Sequence, residues 1–486
     1  MIRLLVVLLS TLFIACNSSS PKAPVDNLPN ILFLFADDYI FDAIHALGND
    51  VIQTPNLDRL VRNGTHFSQA FNMGGWNGAV CVASRAMIIS GQSIWNAKAI
   101  SDQWHNKKKI EASQESWGKL LEQKGYQTYM TGKWHLPIDP NKIFQTVRHI
   151  RPGMPGDFFG KGDEKGYHRP IEGEKDQWNP ADSLNGGFWQ GGKHWSEVIK
   201  DDALDFLNQS KEKKGPFFMY LAFNAPHDPR QSPQSFLDLY PLEKISLPEN
   251  WLSKYPYKDA IGNPKTLRDE ALAPFPRTPF AIKTHIKEYY AIISHLDEQI
   301  GKILDSLEAS GKANNTYIFF TGDHGLSLGK HGLLGKQSMF DHSVRVPLIM
   351  TGPDIPKSKS INHEVYLQDI MATSLELGNV IPPQNIEFKS FLSLAKGEND
   401  ITPYPNGIYG AYMDSQRMIR KDGFKLIVYP KIKKILLFDL KNDPLEQHNI
   451  SGQNQYKGKV KNLFENLLLL QRKYRDSLDL SDILVL

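Results

Sequence analysis

Cysteine is nearly missing: the chain of 486 residues carries two, at positions 16 and 81. Two are too few for a disulfide framework, so stability has to come from a large apolar core. Net charge is almost missing as well. With 56 basic and 53 acidic residues the formal charge is +3, which removes nucleic acid and strongly acidic surfaces as expected partners. Apolar runs after the opening residues are too short to span a bilayer. No internal repeat is present, and the only low-complexity tract is a short polar stretch near the start. What remains is a chain that is 41% hydrophobic, enough for one large domain and one smaller one.

The opening "MIRLLVVLLSTLFIAC" has one early arginine, a short apolar core and a small residue before Cys16. That core reads as a cleaved export signal over residues 1–16. A cysteine directly behind it resembles a bacterial lipoprotein box, with Phe13 where leucine is commonest, and implies a lipid anchor at Cys16 on a membrane. The other reading is a plain secretory signal with an incidental cysteine. Residues 17–28, "NSSSPKAPVDNL", form a polar, proline-containing tether. With Cys16 lipidated, Cys81 has no disulfide partner within the mature chain.

Several apolar runs are continuous rather than alternating, as expected for strands buried on both faces. "ILFLFA" at 31–36 ends in Asp37 and Asp38; "PFFMYLAF" at 216–223 runs into "NAPH" and His227. "TYIFFT" at 316–321 runs into "GDHG" with Asp323 and His324, and the weaker "YQTYM" at 126–130 leads to Lys133 and His135. The spacing of Leu296, Ile300, Ile303, Leu304 and Leu307 predicts a helix over 289–311, stopped by Gly311. Alternating strands and helices imply an α/β fold with a large, mostly parallel sheet sandwiched by helices. Ligands in such sheets bind beyond the carboxyl ends of the strands. Any one of these polar residues alone is more often a turn former or a cap; four strand ends delivering them at the same relative place predict one shared pocket. Residues 150–195 combine glycine, aromatics and charge without periodicity, suited either to a sugar-binding wall or to a solvated insertion. A small antiparallel sheet is expected within 417–450 and an amphipathic helix over 459–478, giving domains of 29–400 and 401–486.

With these residues in view, the sequence resembles the type I sulfatases, formylglycine-dependent members of the alkaline phosphatase superfamily. Their first signature appears as "CVASRAMIISG", with Ala83 in place of proline, Ile88 in place of leucine and Ser90 in place of threonine. The second, "GYQTYMTGKWH" at 125–135, agrees at every characteristic position. The strand with Asp37 and Asp38, "NAPH", "GDHG" and "HGLLGK" ending at Lys336 follow in the family's order, between residues 29 and 450.

The resemblance implies an alkaline-phosphatase-like fold and a sulfatase in which a maturation enzyme oxidises Cys81 to formylglycine. One hydroxyl of its hydrate attacks sulfur and expels the alcohol; the second then collapses to the aldehyde and releases sulfate. The resemblance also implies Asp37, Asp38, Asp323 and residue 81 as ligands of a calcium ion, with His324 where many relatives carry asparagine. Arg85 would orient the nucleophile, Lys133 and Lys336 would contact the sulfate, His227 would protonate the leaving alcohol, and His135 would assist aldehyde regeneration. His331 and His342 flank Lys336 and are read as loop histidines making local hydrogen bonds. His105, His168 and His194 are candidate substrate contacts, and His295 is read as structural. The expected function is hydrolysis of a sulfate ester on a sulfated polysaccharide or oligosaccharide, an algal glycan by preference, by a lipid-anchored protein of the periplasm or cell surface. The alternatives are a phosphonate or phosphodiester hydrolase of the same superfamily and a non-catalytic glycan-binding lipoprotein.

Overall fold

The computed structural model describes residues 28–105, 114–151, 153, 166–185 and 189–483. The expected signal, its cysteine and the tether up to residue 27 lie outside the described residues, as does part of the 150–195 loop.

Eight strands form the large sheet: β1 (Asn30–Asp37), β2 (Thr65–Phe67), β3 (Gln127–Lys133), β4 (Thr146–Arg151), β5 (Phe217–Pro226), β6 (Thr316–Gly322), β7 (Leu348–Thr351) and β8 (Lys359–Ile361). Their order is β8-β2-β7-β6-β1-β5-β3-β4, and β7 alone runs against its neighbours. Every residue of β1, β3 and β5 is buried, because side chains alternate into two apolar layers. Phe33, Phe35, Phe218 and Tyr220 pack with Trp117 on one face. Leu32, Leu34, Met219 and Leu221 pack with Ile292, Leu296 and Ile300 on the other. The continuous apolar runs therefore mark a sheet covered on both sides.

Two strands run further than the apolar signal alone predicts. β3 continues through Thr131 and Gly132, which pair with Leu221 and Ala222 of β5, and so carries Lys133 to the sheet's edge. Gly132 has φ +93 and lies so close to β5 that a Cβ there would stand 2.0 Å from the Ala222 oxygen. β5 likewise continues to Pro226, directly before His227.

Helix α1 (Val80–Ser90) carries Cys81 and Arg85, α2 is Trp195–Glu212, and α3 is Pro279–Ala309. α3 starts upstream of the expected 289 because Thr278 caps it, accepting from the Ala281 N–H at 3.2 Å, with Pro279 at the first helical position. It ends just before Gly311, which is left-handed as expected of a stop.

The small sheet is antiparallel through β9 (Ile408–Tyr412), β10 (Gln416–Lys421), β11 (Phe424–Tyr429) and β12 (Lys434–Asp439). Helix α4 (Lys457–Lys473), shorter than the expected 459–478 at its C-terminal end, packs on β10. β9 also pairs in parallel with Gly74–Gly75, five residues before α1 begins, so the small sheet braces the segment that leads to Cys81. No described helix is long and apolar enough to cross a membrane.

Candidate active site

The carboxyl ends of β1, β3, β5 and β6 meet the N-terminus of α1 at one buried centre. Cys81, the second residue of α1, is 1% exposed. Its sulfur lies 3.2 Å from His324 Nε2, 3.3 Å from Lys336 Nζ and 3.8 Å from Lys133 Nζ. His135 also contacts it by hydrogen bond. Burial pushes the Cys81 thiol up, but Lys133, Lys336 and His324 hold it well below the usual thiol range. The backbone N–H groups of a helix's first turn add to this positive field.

The carboxylates interlock with the cations. Lys336 Nζ lies 2.8 Å and 3.2 Å from the two Asp38 oxygens, and Lys133 Nζ contacts Asp37 Oδ2. Arg85 Nη2 lies 3.2 Å from Asp323 Oδ2 and 3.7 Å from Asp37 Oδ2, while its Nη1 donates to the Lys133 carbonyl at 2.8 Å. Phe35 of β1 lies under the same guanidinium, 4.8 Å away. Asp323 Oδ1 accepts from the Asp38 N–H at 3.1 Å. Burial and Cys81 push the Asp37 carboxyl up, yet Lys133, His227 and Arg85 outweigh them and hold it at about 2. Burial and Asp37 raise Asp323 to about 7, against His324 and Arg85. His324 is lowered by burial but raised more by Asp323, Cys81 and Asp38, to about 10. Burial lowers His227, but Asp38 raises it further.

Two carboxylates, an imidazole and the residue 81 side chain form a donor set able to hold a divalent cation. Ligand atoms of Asp37, Asp38, Cys81 and His324 all lie within 4.8 Å of one another. Asp37 is fully buried; its Oδ2 meets Lys133 and Arg85, but its Oδ1 has no partner, so a cation would supply there what the protein does not. Asp323, expected in the same set, stands one step out, held by Arg85 and the Asp38 N–H.

All ten residues expected at the centre are thus brought together or into its first contacts. The other histidines divide. His105 lines a cleft of about 570 Å³ with Trp76, Asn77, Asp102 and Arg151, which opens beside His135 and Val82. His168 is exposed and its N–H donates to the Ala271 carbonyl at 2.7 Å. His194, expected as a substrate contact, is buried instead. It caps α2 by accepting from the Ser196 N–H and bonds the Gln231 carbonyl at 2.9 Å, and both ring nitrogens are used. His295 is buried edge-on to His194 and pairs with Glu197 at 3.3 Å, a structural role. His342 bonds within its own loop region, to Ser327 and Ser343, as expected, whereas His331 reaches across the fold to the Glu446 carbonyl at 3.0 Å instead of making a local bond.

Sequence reasoning missed Asp228, Arg268 and Asp269, which stand against His227 and Lys336. Asp228 sits in "HDPR", where an aspartate before proline looks like a turn former.

A buried centre of lysines, histidines and carboxylates at the strand ends of a parallel α/β sheet, with a cysteine at a helix N-terminus, suits a hydrolase of anionic esters. Within that class the chain belongs to the sulfatase family: residues 29–380 match the family described as Sulfatase, and residues 329–473 match the one described as N-sulphoglucosamine sulphohydrolase, C-terminal. It is a sulfuric ester hydrolase with an alkaline-phosphatase-like fold. Among its relatives is the N-acetylglucosamine-6-O-sulfatase of Bacteroides thetaiotaomicron, 27% identical over 94% of this chain and 89% of that one. A solved protein in complex with its substrate D-glucosamine-2-N,6-O-disulfate superposes with a TM-score of 0.70 at 25% identity, over 93% of this chain and 99% of that one. The phosphonate monoester hydrolase of Agrobacterium radiobacter also superposes with a TM-score of 0.70, over 92% of this chain and 96% of that one; at 18% identity that likeness is one of fold.

Proposed function

We propose that this chain removes sulfate from a sulfated carbohydrate, with a glucosamine-type sugar as the favoured class and Cys81 converted to formylglycine. The observation that carries the reading is the convergence of Lys133, Lys336, His324 and His135 on residue 81, in a chain similar along its length to a glucosamine sulfatase.

The hydrated formylglycine would supply a hydroxyl nucleophile and a second hydroxyl for sulfate release, and a calcium ion, which Asp37, Asp38, His324 and residue 81 would hold with Asp323 behind them, would supply positive charge. The chain's own residues do the rest. Lys133 and Lys336 reach residue 81 from different elements and hold sulfate oxygens between them. Arg85, fixed by Asp323 and the Lys133 carbonyl, keeps α1 and β3 in register around the nucleophile. His227 donates Nδ1–H to the Asp228 carbonyl at 2.7 Å, which leaves Nε2 to protonate the departing alcohol. His135, its ring pressed against Gly153, takes a proton from the residue 81 side chain. The cleft beside His135 receives the sugar, with Trp76 as the apolar wall. Because Cys81 is buried in the folded chain, a maturation enzyme must meet its segment before folding. Export and lipid anchoring at Cys16, in the periplasm or at the cell surface, complete the proposal; Cys16→Ala should shift the protein from the membrane to the soluble fraction.

The test is protein co-expressed with a formylglycine-generating enzyme. The peptide holding Cys81 should lose roughly 18 Da on thiol-to-aldehyde conversion, and N-acetylglucosamine-6-sulfate should release sulfate. Faster release from sulfated algal oligosaccharides would move the substrate to that class. Preference for phenyl phosphonate would make the chain a phosphonate hydrolase, and binding without release by modified protein would make it a glycan-binding lipoprotein.

A further inference from the structure

Beside the centre lies a chain of buried charges that the proposed chemistry does not use. The Arg268 guanidinium contacts Asp228 Oδ2 through Nη1, Asp228 Oδ1 through Nη2 at 3.3 Å, and Asp269 Oδ1 through Nη2. Asp228 and Asp269 are 3% and 4% exposed, whereas the Arg268 side chain is 30% exposed, so the fork enters the site from its rim. Asp228 is the residue that fixes His227: its carbonyl accepts from Nδ1 at 2.7 Å and its carboxylate Oδ1 lies 3.4 Å from the same nitrogen. With Nδ1 engaged, Nε2 faces the centre, 3.8 Å from Asp38 Oδ2. Asp269 Oδ2 accepts from Gln337 Nε2 at 2.6 Å and stands 3.9 Å from Lys336 Nζ. In the same helical turn, Arg268–Ala271, Glu270 accepts from the N–H groups of Leu334 and Gly335, just before Lys336.

We propose that Arg268 is a positioning residue that locks Asp228 and thereby holds His227 in the tautomer and orientation needed to protonate the departing sugar alcohol. This rests on the sulfatase reading above and on His227 as proton donor. A bidentate guanidinium is suited to the task because it fixes a carboxylate in plane, where a lysine would leave it free to rotate. With its carboxylate anchored in this way, Asp228 keeps its carbonyl at 2.7 Å and its carboxylate at 3.4 Å from Nδ1, and a histidine's reactive nitrogen is decided by what its other nitrogen bonds.

The leaving group separates this role from simple structural support. A sugar alkoxide leaves poorly without a proton, whereas 4-nitrophenolate leaves well without one. Arg268→Ala should lower kcat on N-acetylglucosamine-6-sulfate by about tenfold to a thousandfold, within the range general acid catalysis contributes, and on 4-nitrophenyl sulfate by no more than about threefold. Arg268→Lys, which keeps one contact to Asp228, should recover part of the loss on the sugar. In a His227→Ala background, Arg268→Ala should add almost nothing on the sugar sulfate, since both act on one step. Equal losses on the two substrates, a change confined to KM, or additivity with His227→Ala would overturn the role while leaving the sulfatase reading intact. A wild-type enzyme that releases no sulfate from either substrate would overturn both. Should Arg268→Ala fail to fold, Asp228→Asn, which keeps the backbone carbonyl, carries the same two-substrate comparison.

Discussion

At the ends of β1 and β6, Asp37, Asp38 and Asp323 share a buried space with Arg85, Lys133 and Lys336; beneath the small sheet, Asp341 and Glu446 share one with Lys425 and Arg420. The two clusters are alike in burial and composition and differ in how they are closed. In the second, Lys425 Nζ contacts Asp341, lies 2.6 Å from Glu446 Oε1 and donates to the Met339 carbonyl at 3.2 Å. Arg420 reaches Asp341 at 3.0 Å, Glu364 at 2.7 Å and Gln69 at 2.6 Å, and the Asp341 N–H donates to Glu446 Oε2 at 2.6 Å. In the first, Asp37 Oδ2 meets Lys133 and Arg85 but Oδ1 has neither a hydrogen bond nor an ion pair, and two lysines and a histidine gather on one sulfur. A buried network in which every carboxylate oxygen meets a partner joins elements of the fold; one that leaves a carboxylate oxygen open and pools cations on one sulfur is shaped for something that arrives later.

The largest effect should come from the open cluster, on rate and not on stability. Cys81→Ala removes a small side chain from the start of a helix, so the urea midpoint should stay near that of wild type. Turnover should fall by more than about ten-thousandfold, as when a covalent nucleophile is lost. Retained turnover would end the assignment of residue 81. Next in size is removal of the cation. Dialysis against a calcium chelator should lower the rate by about a hundredfold or more, the scale of one lost charge-stabilising contact, with recovery on added calcium. A rate indifferent to the chelator would place the open Oδ1 of Asp37 in some other service.

The closed cluster should answer in the opposite currency. Lys425→Met leaves Asp341 and Glu446 without their shared cation, and breaking a buried pair in this way costs about 3–5 kcal/mol. Urea unfolding should show that loss, while kcat per folded molecule stays within about twofold. A Lys425→Met protein that is stable but inactive would erase the distinction between the clusters.

Much of the first cluster was legible in sequence because burial leaves a local trace. Continuous apolar runs that break into Asp37, Asp323 or His227 announce strands and their ends, and the signature segments add Cys81, Arg85, Lys133 and Lys336. The second cluster left no such trace. Asp341, Lys425 and Glu446 are far apart along the chain and each sits in an ordinary local context, so only the fold pairs them. Arg268 and Asp269 fail for the same reason, since a single helical turn has no periodicity to read. His194 shows the opposite error: a histidine in a polar, aromatic stretch looked available for substrate, but capping α2 and bonding Gln231 use both of its ring nitrogens. Strand β9 lay outside the expected 417–450 sheet because its pairing with Gly74–Gly75 depends on a segment more than three hundred residues away.

The smallest effect concerns a histidine at the edge of the closed cluster. His331 stacks on Phe340, ring centroids 3.9 Å apart, and Nε2–H donates to the Glu446 carbonyl at 3.0 Å. Burial, aided by Lys425, pulls its pKa down to about 4, whereas an unfolded histidine titrates near 6.5. Between those values the unfolded chain binds a proton that the folded chain refuses, so stability from this group is full above about pH 6.5 and is lost as pH falls toward 4. The difference in pKa corresponds to about 3 kcal/mol at the acid end of that window. Carboxylates also titrate on the way down, so the readout is a difference between two proteins. His331→Gln can still donate toward Glu446 but carries no titrating ring. Its unfolding free energy should decline less steeply than that of wild type between pH 7 and pH 4. Parallel slopes would mean that His331 is protonated in the folded chain, and that the cluster beneath the small sheet is not as closed as its contacts make it.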